Sequence, residues 1–121
     1  MKHIDTDFIH LDILDSKVAL LEAVEGVEID NEKSKNIIKF VENEMSGNFG
    51  FNIDRKSDYS IAPIEVYTNL NQCDRLKAIA IVMHNKTNFL TSNYEKRFYN
   101  NQIKIFVNVS DAHEWVTSVV N

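Results

Sequence analysis

One cysteine, one proline and three glycines in 121 residues set the first limits. Cys73 has no second cysteine to pair with, which excludes an internal disulfide framework and a cysteine-based zinc cluster. So little glycine and proline excludes collagen-like, proline-rich and glycine-rich linker classes. Long apolar runs are also missing. The most apolar stretch, residues 76–83, falls far short of the roughly 18 residues needed to cross a bilayer. The opening MKHID has no apolar core of the signal-peptide kind and acids follow at once, so a cytoplasmic location is the expectation. HExxH and GxSxG are absent, and no histidine pair stands at metal-ligand spacing.

What is present reads as a globular chain. Apolar residues make up 44% and charged residues 26%, enough to bury a core, and the length suits one domain spanning 1–121. The net charge of -5 conceals an asymmetry. Residues 1–30 hold eight acids against Lys2 and Lys17, while residues 75–104 hold six bases against Glu95 alone. That division predicts one acidic and one basic flank, suited to self-association or to docking a charged ligand. Overall acidity argues against nucleic acid as a partner, since phosphate binding needs a basic face.

Hydrophobic periodicity gives the elements. Residues 8–14 alternate as a strand with Ile9, Leu11 and Ile13 on the core face, and residues 18–24 return antiparallel to form a hairpin. Gly26 relieves the backbone where that second strand ends. Asp30 caps a helix that turns Ser34, Ile37, Ile38, Val41 and Met45 inward, and Gly47 closes it in a left-handed conformation. Residues 49–53 form a third strand. Pro63 starts a helix with Ile64, Tyr67 and Leu70 buried and Val66 beside them. Residues 76–83 are short, β-rich and the most apolar stretch of the chain, as suits a central parallel strand buried on both faces. A helix from about residue 85 carries Leu90, Tyr94 and Phe98 at i, i+4 spacing. Residues 103–107 form the last strand, and Ser110 caps a closing helix with Ala112, Trp115, Val116 and Val119 inward. The order β-β-α-β-α-β-α-β-α predicts an α/β fold. Its mixed, mostly parallel sheet has an N-terminal antiparallel hairpin and covering helices.

Ligands bind such sheets beyond the carboxyl ends of the strands, and two loops qualify. Loop 54–60 offers Arg55, Lys56, Ser57 and Ser60 just before a helix start, a place that favours anions. It lacks phosphate-wrapping glycines, and the plain alternative is a solvated loop with Ser60 in the helix cap. Loop 84–88 offers His84 and Lys86 beside Asn85 and Thr87, against the alternative of a surface histidine at a strand end. Cys73 and His84 flank one strand at opposite ends, roughly 30 Å apart if it is extended, so a catalytic couple is not expected. Cys73 is read as a buried thiol.

Several strings bear a likeness in order: LKAIAIV at 76–82, TNFL at 87–90 followed by Asn93 and Tyr94, IKIF at 103–106, and AHEW at 112–115. With this element order the chain resembles STAS-like domains, the SpoIIAA-like group, in particular a STAS/SEC14-like branch. The resemblance implies a mixed sheet with helices chiefly on one side and no cofactor. It also implies a regulatory role exerted through a protein partner, often a kinase-like anti-sigma factor. Members are switched by phosphorylation at the amino end of the helix after the third strand, which corresponds to residues 57–63. The usual Asp-Ser-x-Gly signature is absent there, leaving Ser57 and Ser60 as the nearest candidates. The expectation is thus a non-enzymatic protein-interaction or regulatory domain, with a protein partner or a homo-oligomer. The alternative is a small-ligand or anion-binding module using loops 54–60 and 84–88.

Overall fold

The computed structural model describes residues 2–121; Met1, the first residue of the expected 1–121 domain, lies outside the described residues. Eight strands and four helices follow in the order β1 (Lys2–Asp5), β2 (Ile9–Ile13), β3 (Val18–Ala23), β4 (Glu28–Ile29), α1 (Asn31–Glu44), β5 (Phe49–Asp54), β6 (Ser60–Ile61), α2 (Pro63–Gln72), β7 (Leu76–Val82), α3 (Lys86–Glu95), β8 (Gln102–Phe106) and α4 (Val109–Val120). A short 3-10 turn, Lys96–Phe98, prolongs α3.

Six strands form one sheet in the order β1-β2-β3-β5-β7-β8. The first three pair antiparallel and the rest parallel. Short turns suffice between the antiparallel strands, whereas each parallel step needs a crossover, supplied here by α1, α2 and α3. The expected α/β sheet is therefore present, with an antiparallel meander of three strands where a hairpin was read. β1 escapes sequence reading because KHID carries a single apolar residue and lies exposed at the sheet margin. The two-residue strands β4 and β6 pair parallel in a separate small ladder, too short to leave a periodic signature.

β7 runs between β5 and β8, buried on both faces as expected. Ile79 and Ile81 enter the large core beneath α1 and α2 with Leu11, Leu21, Phe51 and Tyr67. Ala78, Ala80 and Val82 face the other way, under Ala112 and Val116 of α4. Helices thus cover both faces, with α4 alone on its side. α4 sits close because the residues below it are small. Val18, Gly50 and Ala78 lie side by side across three strands, and a Cβ at Gly50 would fall inside van der Waals contact of Val116 Cγ1.

Local signals held at several helix ends and failed at others. Asp30 caps α1 by accepting from the Lys33 backbone N–H at 3.0 Å. Gly26 alone among the described residues takes a positive φ, +80°. Gly47 does not: α1 ends in an extended Met45, and the Arg75 guanidinium donates to the carbonyls of Glu42, Met45 and Gly47 instead. A distant side chain thereby does the work expected of a glycine. α4 is capped by Asn108, two residues ahead of Ser110, through the Asp111 N–H. In α2, Val66, Tyr67, Asn69 and Leu70 face inward, while Ile64 stands 69% exposed. α3 is turned away from the expected stripe. Leu90 is 61% and Tyr94 51% exposed, and the buried residues are Ser92 and Glu95.

Candidate functional site

The orientation of α3 creates the most unusual feature of the molecule. Arg55 follows β5, and its backbone N–H still pairs with the Val82 carbonyl at 3.0 Å. Strand alternation therefore carries one residue further and puts Arg55 on the face of Phe51 and Ile53. The guanidinium enters the apolar interior only 7% exposed. There Nη2 donates to Glu95 Oε1 at 2.5 Å, and Glu95 is 1% exposed. The Tyr67 hydroxyl, from α2, donates to the same oxygen at 2.8 Å. The Tyr59 ring lies 5.5 Å from the guanidinium carbon, close enough for a cation–π contact.

Burial alone would ease the proton from Arg55, but Tyr59 and the Glu95 carboxylate outweigh it and hold the guanidinium above its ordinary range. Burial, reinforced by Glu95, pushes the Tyr67 phenol well up. Arg55 and Tyr67 therefore remain protonated donors. Two buried polar atoms of the cluster have no partner: Arg55 Nε and Glu95 Oε2. The cluster borders a cavity of about 60 Å³, otherwise walled mainly by apolar side chains such as Leu21, Ile29, Phe51 and Leu70. On its other side Arg55 and Glu95 border an outer cleft of about 350 Å³ shared with Tyr59, Ser60, Pro63, Thr91 and Tyr94.

The sequence-predicted residues are dispersed around this cluster. Arg55 and Ser60 border the outer cleft. Lys56 is exposed and lies 3.5 Å from Glu22. The Ser57 hydroxyl donates to the Ala23 carbonyl at 2.7 Å, tying the loop to the end of β3. Ser60 lies exposed in β6 rather than in a helix cap; α2 is preceded by Ala62 and begins with Pro63. His84 and Lys86 line a separate open hollow with Met83, Asn85, Phe89 and Val107. The two loops touch where His84 Nε2 meets Asp54 Oδ1 at 2.5 Å. Asn85 and Asn88 spend their side chains locally: Asn88 N–H donates to Asn85 Oδ1, and His84 N–H to Asn88 Oδ1.

Sequence reasoning missed Glu95, Tyr67 as a polar group, and the inward course of Arg55. Two signals pointed there. Arg55 continues the alternation of Phe51 and Ile53, and Glu95 is the lone acid in a basic segment. A second unforeseen cluster lies on the N-terminal strands. His3 contacts Asp5 at 2.8 Å and also Asp12, and His10 contacts Asp5 at 2.7 Å. His3 and Asp5 are exposed, and His10 and Asp12 are half-buried. Among the described residues no group of three or more His, Cys, Asp or Glu is placed to hold a metal ion. Cys73 is buried, with its thiol 3.6 Å from Glu42, and burial followed by that carboxylate raises its pKa. Among the described residues no helix is long and apolar enough to cross a membrane.

The architecture is that of a SpoIIAA-like α/β domain. A similar solved structure is that of an uncharacterized protein from the DUF3478 family with a SpoIIAA-like fold, from Shewanella loihica PV-4. It aligns over 96% of both chains with a TM-score of 0.62 and 17% sequence identity. At that identity the likeness establishes the fold. No family model matches the chain, and no curated protein matches it in sequence.

Proposed function

We propose that the chain is a non-enzymatic binding domain that docks a protein partner on the outward face of α3. The observation carrying this reading is the inverted helix. α3 buries Ser92 and Glu95 and gives Phe89, Leu90 and Tyr94 to solvent, and exposed Val107 borders the same hollow as Phe89. Large exposed apolar side chains gathered this way mark interaction surfaces more often than chance. The exposed charges on α3 and its 3-10 extension are Lys86, Lys96 and Arg97, all basic. The complementary partner presents an apolar anchor within an acidic rim.

Photo-crosslinking tests this in cells that express the chain. With benzoylphenylalanine in place of Leu90, one discrete protein adduct is expected. It should disappear when Lys96→Glu and Arg97→Glu are added. The exposed Lys39 on α1 serves as the control position, and the adduct's mass distinguishes a different protein from a second copy. Equal labelling from positions 39 and 90, or an adduct indifferent to the charge reversal, would overturn the proposal.

A further inference from the structure

We infer that the Arg55–Glu95 pair is the recognition element of a binding site for a small, uncharged ligand with an amide-like edge on an apolar body. This goes beyond the docking role of α3 and does not require it. Buried polar atoms in folded proteins are nearly always hydrogen-bonded. Among the described residues Asn52 Oδ1, Ser92 Oγ, Arg55 Nε and Glu95 Oε2 are not, and the last two are of opposite kind: Arg55 Nε–H is a donor and Glu95 Oε2 an acceptor. They belong to side chains joined at 2.5 Å, both over nine-tenths buried. Both border the same two spaces, the inner cavity and the outer cleft. A ligand that meets both must therefore both donate and accept. A primary carboxamide or a lactam does this with one C=O and one N–H.

Charge selects against other ligands. The guanidinium and carboxylate neutralise each other, so an anion meets the Glu95 carboxylate and a cation meets Arg55. Either would surrender its hydration without a counter-charge of its own. A neutral group loses less and fills both vacancies. The outer cleft, about 350 Å³, lies in the range that holds a single-ring compound. Tyr59, Pro63 and Tyr94 supply its apolar walls, and Thr91 and Ser60 its hydroxyls. The inner cavity, about 60 Å³, admits only a short apolar tip.

Three probes of matching shape test this in backbone-amide NMR titrations: benzamide, benzoate and benzylamine. Benzamide should shift the signals of Arg55, Tyr59, Thr91 and Glu95 with a dissociation constant of about 1 mM, as suits a fragment of its size. The two charged probes should bind at least about tenfold more weakly. Thr91→Trp, at an exposed position that need not disturb folding, should block the cleft and abolish the shifts. Glu95→Gln, which leaves Arg55 uncompensated, should move the preference from benzamide to benzoate. If that variant does not fold, the wild-type series and Thr91→Trp decide. The inference fails if benzoate or benzylamine binds wild type as tightly as benzamide, if the shifts lie elsewhere, or if no probe binds. In the last case permanently trapped water serves the two vacant atoms.

Discussion

Removing either member of the Arg55–Glu95 pair should have unequal consequences, because only one of them can shed its charge. Glu95→Gln leaves a guanidinium buried at 7% exposure with no counter-ion. Stranding a buried charge costs about 3–5 kcal/mol, a large fraction of the roughly 5–15 kcal/mol that holds a domain folded. Arginine cannot lose its proton in a protein, so this penalty should be the same from about pH 5 to about pH 8. Arg55→Met strands Glu95 instead, with the Tyr67 hydroxyl its only remaining donor among the bonds described. A carboxylate can take up a proton. The folded variant then binds that proton more tightly than its unfolded chain, so its stability falls as pH rises and recovers as pH falls. Tyr67→Phe removes one bond to a charged acceptor, about 1.5–3 kcal/mol. The triple replacement of Arg55→Met, Tyr67→Phe and Glu95→Leu strands nothing, since the Tyr67 hydroxyl loses its acceptor with Glu95, and should come within about 1 kcal/mol of wild type, or exceed it. Urea denaturation followed by circular dichroism at several pH values measures all four variants. A Glu95→Gln loss below about 1 kcal/mol, or an Arg55→Met loss that does not change with pH, would refute the account of a dry, mutually dependent pair.

Gly50→Ala should lose about 1–3 kcal/mol, since the new Cβ meets Val116 and lies 3.0 Å from the Ala78 carbonyl. Adding Val116→Ala should recover part of that loss, and strictly additive melting shifts would argue against the clash. Asn108→Ala should cost about 1 kcal/mol through the lost α4 cap, while Ser110→Ala should be near neutral in the same thermal melts. His3, hydrogen-bonded to Asp12 and Asp5, should titrate by NMR above its ordinary 6.5, and Asp12→Asn should bring the midpoint down. The sign is that of a raised base: any stabilisation is complete below 6.5 and fades as pH climbs through the folded value.

The parts of the fold that could be read in the sequence are those where local chemistry and burial agree. Ile9, Leu11 and Ile13 alternate because one face of β2 meets the core, and Asp30 precedes α1 because its carboxylate can satisfy an orphan amide. Two of the misreadings share a cause, which is a distant group supplying what a local residue was expected to supply. Arg75 closes α1 from another element, so Gly47 has no left-handed duty. α3 faces the core with Glu95 because a buried guanidinium awaits it, and that attraction reverses a helix whose own apolar spacing names Leu90 and Tyr94. Periodicity cannot register a partner 40 residues away in the chain. The candidate site was visible only in part, as Arg55, one half of the pair, and Ser60 at the edge of the outer cleft.

The reversed helix also has a thermodynamic side. With Ser92 and Glu95 as its buried residues, α3 has little apolar anchorage of its own, and its attachment leans on one polar tie. Segments of this kind open locally long before a domain unfolds, so the amides of α3 should exchange with solvent sooner than those of α1 or α4. A compound seated against Glu95 would slow that opening, and so would a protein clasping Leu90 and Tyr94. Each would then favour the binding of the other by the same factor, whichever arrives first.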